Sequence, residues 1–244
     1  MTRSPNGRLR VAAIGDLHVQ ESRTDNYREL FAEISDVADV LVLCGDLTNY
    51  GKTAEALLLA EDLSAVTIPI IAVLGNHDHD CGQPEVVKTY LADAGVRVLD
   101  NGESFEIDGV GFAGCMGAMG GFGRGMLSAF GEAATKAFVQ AGMEESMKLE
   151  NSLRMLRTER AMAVLHYAPV IDTLEGEPRE ILPFLGNSRL AQTIDQFDNV
   201  RAVVHGHAHR GNHRGKTPKG VPVYNCAQMV ALAETGRPYA LIDV

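Results

Sequence analysis

Metal-capable side chains follow directly after five apolar segments that the sequence predicts to be β-strands. In chain order, the five sets are Asp16-Leu17-His18, Gly45-Asp46, Asn76-His77-Asp78, His166 and His205-Gly206-His207. The carboxyl ends of parallel strands form the binding crevice of an α/β sheet, so side chains from distant parts of the chain are expected to converge there. Carboxylate and imidazole donors without thiolate favour Mn, Fe or Zn over an iron–sulfur cluster.

The spacing within two of these sets has a physical reason. Residues i and i+2 of an extended chain point the same way. Asp16 with His18, and His205 with His207, can therefore each direct two side chains towards one region. Glycine precedes or separates the metal-capable residues in four of the sets, where it permits sharp turns and close backbone approach.

Each of these residues alone has an ordinary structural interpretation. A histidine at a strand end, such as His166, is more often a hydrogen-bonded polar residue than a ligand. An aspartate after a strand, such as Asp46, is more often a turn or cap residue. Coincidence would have to place five of the eight histidines at strand ends, so a shared metal site is the better interpretation.

The segments that position these residues alternate between short apolar runs and helical patterns, which predicts parallel strands covered on both faces. Strands are predicted at residues 9–14, 40–44, 68–74, 96–99, 104–107, 110–113, 161–165, 200–204, 221–224 and 239–242. Helices are predicted at residues 26–37, 53–63, 84–94 and 141–158. Without a repeat, linker or low-complexity tract, we expect residues 1–244 to form one α/β domain of two packed mixed sheets with helices outside.

The middle of the chain changes pattern. Turn signals at residues 101–102 and 108–109 separate three short strands, which predicts β-hairpins. The helix predicted at residues 141–158 carries an apolar stripe that we expect to face the core. Its members are Met143, Met147, Leu149, Leu153 and Leu156. Residues 109–114 match GxGxxG but open a strand, whereas a dinucleotide site needs a helix there, so we exclude that interpretation.

Composition and charge restrict the classes of function. A formal net charge of −10 argues against the large basic surface that nucleic-acid binding needs. The four cysteines are far apart and form no CxxC pair, which favours free thiols in a reducing compartment. No apolar run reaches the ~18 residues of a membrane span, and residues 1–7 are polar, unlike a signal peptide. We therefore expect a cytoplasmic protein without a membrane partner.

Taken together, the five sets resemble the motifs of the calcineurin-like metallophosphoesterases, in the family's order and over residues 16–207. The resemblance implies a four-layer sandwich of two mixed β-sheets flanked by helices. It also implies two metal ions whose ligand sets share a bridging carboxylate. The implied ligands are Asp16, His18 and His207 for the first ion, Asn76, His166 and His205 for the second, and Asp46 for both.

The resemblance assigns His77 a different role, as a proton donor beside the substrate that does not bind metal. The chemistry of the residue types agrees with this division. Two bridged metal ions about 3.5–4 Å apart can lower the pKa of water from 15.7 to about 7 and neutralise phosphoryl oxygens. A leaving alkoxide still needs a proton, which a histidine can supply. The expected cofactors are two divalent transition-metal ions, Mn²⁺ or Fe first and Zn²⁺ next.

The sequence differs from the protein Ser/Thr phosphatases of this family at two positions. Those enzymes place an aspartate and an arginine where this chain has Asn49 and Tyr50. The chain therefore looks more similar to the bacterial small-molecule phosphodiesterase and phosphatase branches. We expect hydrolysis of a small-molecule phosphodiester; a phosphomonoesterase, a nuclease and a catalytically silent metal-bound scaffold are the alternatives.

Four further basic residues lie in polar or glycine-rich loops near these motifs. His79 and Arg124 are candidate substrate contacts, since an arginine can bind phosphate in a bidentate manner. His209 and His213 are expected to be solvent-exposed loop residues.

Overall fold

The computed structural model of this protein describes residues 8–24 and 26–244. The polar segment of residues 1–7, which supports the expectation of no signal peptide, lies outside these ranges. Within them, no helix combines the length and the apolar character that a membrane crossing requires.

Two mixed β-sheets make up the centre of the structure. In spatial order, the first sheet contains β11 (Ala240–Asp243), β1 (Arg10–Ile14), β2 (Val40–Cys44), β3 (Ile70–Val73) and β4 (Val96–Val98). The second contains β5 (Ser104–Ile107), β6 (Val110–Cys115), β7 (Arg160–Leu165), β8 (Val200–His205), β10 (Pro222–Asn225) and β9 (Arg214–Lys216). Strands β1 to β4 run parallel to one another, as do β6, β7, β8 and β10, whereas β11, β5 and β9 are antiparallel edge strands.

Helices cover the outer face of each sheet. They are α1 (Arg28–Val37), α2 (Thr53–Leu63), α3 (Pro84–Asp93), α4 (Ala133–Met155), α5 (Ser188–Ile194) and α6 (Gln228–Thr235). Successive side chains of a strand point to opposite faces. Val40 and Val42 therefore pack between the two sheets, whereas Leu41 and Leu43 pack outwards in the cluster that contains Phe31 of α1. This four-layer arrangement confirms the predicted α/β sandwich.

One of the two predicted hairpins is wrong. The turn at Asp108 and Gly109, with φ of 46° and 80°, joins β5 to β6 in an antiparallel pair as expected. The turn at Asn101 and Gly102 joins β4 to β5, but these strands belong to different sheets. Because β4 pairs in parallel with β3, the chain crosses from the first sheet to the second at this point instead of folding back.

The apolar stripe of α4 is only partly correct. Leu149, Leu153 and Leu156 are buried, but Met143 is 38% exposed and Met147 is 56% exposed. The buried positions in this half of the helix are instead occupied by small residues such as Gly142 and Ser146, which allow α4 to lie close to its neighbours. The two methionines each follow a small residue by one position, about 100° around the helix, so they face outwards.

Candidate metal centre

Backbone strain marks the place where strand ends of the two sheets meet. The described ranges contain five non-glycine residues with positive φ. Four of them belong to the sequence-predicted motifs: Asp16 at 61°, His18 at 45°, Asp46 at 50° and His207 at 70°. A left-handed backbone is costly for a residue with a Cβ and persists where the surroundings impose it, often at functional sites.

Asp46 lies at the centre of this region, with 1% of its surface exposed. Its Oδ2 is 3.8 Å from Nε2 of His18, and its Oδ1 is 3.4 Å from Nε2 of His166. The two oxygens of one carboxylate therefore face histidines from different sheets. Gly75 permits this placement, because a Cβ there would collide with the Asp46 carboxylate and amide nitrogen.

The first group of candidate ligands contains Asp16, His18 and His209, whose ligand atoms all lie within 4.8 Å of one another. Nε2 of His209 is 3.0 Å from Oδ1 of Asp16. The sequence prediction placed His207 in this group and His209 in an exposed loop. In the structure His209 is an exposed loop residue, as expected, but its ring lies against Asp16, and His207 lies in a different group of candidate ligands.

The second group contains Asp46, His166 and His207, again with ligand atoms within 4.8 Å of one another. Oδ1 of Asn76 lies 3.0 Å from Nε2 of His166, beside this group. Nδ1 of His166 lies 3.0 Å from the carbonyl oxygen of Cys44. A carbonyl can only accept, so Nδ1 carries the proton and Nε2 presents its lone pair towards the group.

His205 is the predicted ligand that the structure places elsewhere. Its Nε2 is 2.8 Å from the Thr173 hydroxyl, its Nδ1 is 2.7 Å from the Gly206 carbonyl, and it belongs to none of the groups found in the described residues. The reason is the length of β8, which continues through His205 because that residue pairs with Asn225 of β10. Strand β8 therefore ends one residue later than predicted, and His207 is the first histidine of the loop that follows it.

The chemistry of the donors fits a divalent cation. Both ring nitrogens of His18 are buried without a hydrogen-bond partner, which is costly unless another group satisfies them. Burial lowers the pKa of His18 to about 4 and the pKa values of His166 and His207 to about 3. These imidazoles are neutral at pH 7, which is the form that binds metal.

The two carboxylates of the centre have different surroundings. Burial raises the pKa of Asp16 to about 6, against the opposing effect of its hydrogen bond with His209. The same hydrogen bond is the main cause of the raised pKa of His209. Asp46 accepts a hydrogen bond of 2.9 Å from the backbone amide of His77 to Oδ1, which ties the loop after β3 to the carboxylate.

His77 occupies the rim of the centre. Its Nδ1 lies 2.7 Å from the carbonyl oxygen of Asn49, and its ring is 4.6 Å from the ring of His18 in an edge-to-face arrangement. A backbone carbonyl therefore holds the ring of His77 in place. His77 also forms a third compact group with His18 and Asp46.

Asp78 has a structural role that the sequence interpretation missed. It is fully buried and accepts hydrogen bonds from the amides of Leu47, Thr48 and Gly75 at 3.2, 2.8 and 2.8 Å, and from the Thr48 hydroxyl at 2.6 Å. It thereby joins the loop of Asp46 to the loop of Asn76. Burial raises its pKa to about 6. The available sequence signal was an acidic residue three positions after Gly75, at the end of the motif Asn76-His77-Asp78.

The two predicted substrate contacts do not join the candidate ligand groups. His79 is half-buried, and burial lowers its pKa against the smaller opposing effect of Asp100. Arg124 is exposed in the turn of Gly123–Gly125, and none of the side-chain hydrogen bonds within the described ranges joins it to the centre. His213, predicted to be exposed, is 3% exposed, with Nδ1 2.9 Å from the Asn225 carbonyl.

Comparison with known proteins agrees with the motifs. A family model described as calcineurin-like phosphoesterase matches residues 9–211. A probable glycerophosphodiester phosphodiesterase of Arcobacter nitrofigilis is 22% identical over 212 residues, 82% of this chain and 71% of that protein. A probable cyclic nucleotide phosphodiesterase of Vesicomyosocius okutanii is 22% identical over 221 residues, 87% of this chain and 83% of that protein.

Solved structures show the same fold at low sequence identity. A phosphopantetheinyl hydrolase from Mycobacterium tuberculosis superposes with a TM-score of 0.68 at 14% identity, covering 97% of this chain and 96% of that one. The protein TT1561 of Thermus thermophilus superposes with a TM-score of 0.58 at 14% identity, covering 97% and 99%. At these identities the likeness concerns the fold alone.

Proposed function

The chain belongs to the calcineurin-like phosphoesterase family, which hydrolyses phosphoric ester bonds, and from this premise we propose that it cleaves a small-molecule phosphodiester with two divalent transition-metal ions. Mn²⁺ and Fe are the first candidates and Zn²⁺ the next, because the donors are carboxylate, amide and imidazole without thiolate. The two similar curated proteins, both named as probable phosphodiesterases, support the choice of a diester.

The observation that carries the dinuclear proposal is the orientation of Asp46. One carboxylate oxygen faces His18 and the other faces His166, at 3.8 and 3.4 Å, which is the arrangement that a bridging ligand needs. The proposed ligands are Asp16, His18 and His209 for the first ion, Asn76, His166 and His207 for the second, and Asp46 for both. His209 thus replaces His207 at the first ion, and His207 replaces His205 at the second.

When bound, the two ions would supply an activated water nucleophile and neutralise charge on the phosphoryl oxygens. The chain supplies the proton for the leaving group. The Asn49 carbonyl accepts from Nδ1 of His77 whether the ring is neutral or protonated, so the ring keeps its orientation while Nε2 gains or loses a proton. His77 is therefore the proposed general acid.

The choice of a diester rests on the charge that the site can hold. A monoester dianion carries one more charge than a diester, and a bidentate arginine is suited to hold it. Asn49 and Tyr50 stand where the protein phosphatases place an aspartate and that arginine. The net charge of −10 also disfavours nucleic acid as the substrate. Neither His79 nor Arg124 enters the proposal.

Metal-reconstituted protein tests this function directly. After incubation with Mn²⁺, elemental analysis is expected to approach two ions per chain, and kcat/KM for a bis-aryl phosphate is expected to equal or exceed that for an aryl monophosphate. Chelator-treated protein is the control for both measurements. Saturation at one ion would reject the dinuclear centre, and a monoester preference of a hundredfold or more would make the protein a phosphomonoesterase. Binding of two ions without turnover would identify a scaffold.

A further inference from the structure

Asn225, at the end of β10, contacts the loop that carries two of the proposed ligands. The residue is fully buried. Its side-chain Nδ2 donates a hydrogen bond of 2.7 Å to the carbonyl oxygen of Ala208, the residue between His207 and His209. Its Oδ1 accepts a hydrogen bond of 3.1 Å from the backbone amide of Ala227. One amide group therefore bridges the ligand loop and the segment that follows β10.

The backbone of Asn225 holds the other end of the same loop. Its amide donates to the carbonyl of His213 at 2.9 Å, and its carbonyl oxygen lies 2.9 Å from Nδ1 of His213. The Ala208 carbonyl also accepts from the amide of Gly211 at 3.3 Å. Residues 206–213 are thus attached to Asn225 near their middle and at their end.

The residues after Asn225 connect this loop to Asp16 in the other sheet. The carbonyl of Cys226 accepts from the amide of Gly15 at 2.8 Å, and Nε2 of Gln228 donates to the carbonyl of Asp16 at 2.8 Å. Asp16 in turn accepts from the backbone amide of His207 at 3.0 Å. The segment of residues 225–228 therefore spans the two sheets directly behind the candidate centre.

We propose that Asn225 is a positioning residue for both metal ions, acting through the peptide that links His207 to His209. The inference rests on the proposed dinuclear centre. It adds Asn225 as a residue that supports the ligands without binding metal itself. A side-chain amide is suited to this role because it donates and accepts at the same end. The φ of 70° at His207 is strained, so the loop needs such an attachment to keep both imidazoles in place.

The chain offers a matched control at Asn187. That residue is 1% exposed, and its amide also bridges two segments: Nδ2 donates to the carbonyl of Ala118 at 2.6 Å, and Oδ1 accepts from the amide of Arg189 at 2.9 Å. Neither partner adjoins a proposed ligand. Each of the two substitutions, Asn187→Asp and Asn225→Asp, therefore removes a side-chain amide donor from a buried site. The substitutions differ in the segment of chain that this donor attaches.

The experiment is a titration of chelator-treated protein with Co²⁺, followed by the visible d–d absorption of the bound ion, for the wild type and both variants. Thermal melting of the three apoproteins measures the cost to the fold separately. We expect the wild type and Asn187→Asp to bind two equivalents with equal affinity. Asn225→Asp is expected to bind both 10–100-fold more weakly, the usual loss when a group that orients ligands is changed, and its d–d spectrum is expected to differ.

Three results would overturn the inference in distinguishable ways. Wild-type affinity in Asn225→Asp would reject the role of Asn225 while leaving the dinuclear centre intact. Equally weak Co²⁺ binding by Asn187→Asp would show that the effect is general destabilisation. A wild type that does not bind two Co²⁺ ions would reject the dinuclear proposal and the inference with it. If Asn225→Asp does not fold, Asn225→Ser decides the question, since its shorter hydroxyl cannot bridge both partners and unchanged Co²⁺ affinity would reject the role.

Discussion

Nε2 of His209 lies 3.0 Å from Oδ1 of Asp16, although 193 positions separate the two residues in the chain. Asp16 follows β1 of the first sheet, and His209 lies in the loop after β8 of the second. The first group of candidate ligands therefore exists only where the two sheets pack together. This contact also shows that His209 of the loop faces Asp16.

The assignment of the loop histidines predicts opposite results for two substitutions. His209→Ala is expected to reduce the metal content from two ions towards one, because it removes a proposed ligand of the first ion. His205→Gln is expected to retain two, since that side chain bonds Thr173 outside the candidate groups. Elemental analysis after Mn²⁺ reconstitution and desalting measures both. Loss in His205→Gln with retention in His209→Ala would restore the assignment made from sequence.

The role of His77 predicts a loss of rate without a loss of metal. His77→Ala is expected to lower kcat by ~10²–10⁴-fold, the usual range for general acid catalysis, while both ions remain bound. The loss is expected to be smaller for a nitrophenyl ester, whose leaving group needs little protonation. His79→Ala is the matched control, with metal content and kcat close to wild type. An empty metal site in His77→Ala would instead identify His77 as a ligand, in the compact group with His18 and Asp46.

The buried hydrogen bonds of Asp78 predict that replacing this residue lowers the free energy of unfolding, whether or not metal is bound. Asp78→Asn replaces one acceptor oxygen by a donor that faces the amides of Leu47, Thr48 or Gly75. Hydrogen bonds to a charged group contribute about 1.5–3 kcal/mol each, so the free energy of unfolding is expected to fall by about 2 kcal/mol. Urea unfolding of the apoproteins measures this. Asp80→Asn, at an exposed position, is expected to change stability by less than ~0.5 kcal/mol; an equal loss there would contradict the role of Asp78.

The buried position of His213 predicts that the free energy of unfolding depends on pH. Burial lowers its pKa below the usual value of 6.5. The neutral ring therefore contributes stability that is present above pH 6.5 and is lost as the pH falls, because the unfolded chain binds the proton first. The loss amounts to at most about 1.4 kcal/mol per pH unit.

Replacing this histidine is expected to reduce that dependence. In His213→Asn the amide can still donate to the Asn225 carbonyl but does not titrate. Unfolding free energies of the apoproteins at pH 7.5 and pH 5.5, measured with urea in the presence of a chelator, are expected to differ less in the variant than in the wild type. A difference as large as that of the wild type would show that His213 is not the group responsible.

Local patterns were sufficient to predict many of the elements but not their partners. Strands β2 and β5 and helix α2 have the bounds predicted from their own residues, because each is a short apolar or amphipathic run between turn signals. The separation of β4 from β5 depends on pairing with β3 and β6, which no local turn signal records. The exposure of Met143 follows from the burial of its neighbour Gly142, which faces Ala118 and Met119 of the loop after β6.

In the candidate site too, local patterns were sufficient for some residues, and strand pairing decided the others. Asp16, His18, Asp46 and His166 were placed correctly at strand ends, and they lie in the compact groups. In the last motif, His205 with His207 and His207 with His209 have the same spacing, so spacing could not choose between them. The choice depends on where β8 ends, and that is determined by the pairing of His205 with Asn225. A contact between strands that are neighbours in the sheet but not consecutive in the chain therefore sets which histidines reach the centre.

The division of the candidate ligands between the sheets has a consequence for the order of assembly. A nascent chain that has folded only strands β1 to β4 of the first sheet offers Asp16, His18, Asp46 and Asn76, and the second sheet alone offers His166, His207 and His209. Each proposed ion draws on both sets, so neither half by itself can hold an ion with its full coordination. For the proposed dinuclear centre, metal uptake is therefore expected to be a late event in biogenesis, and the bound ions would link two halves that are already in contact.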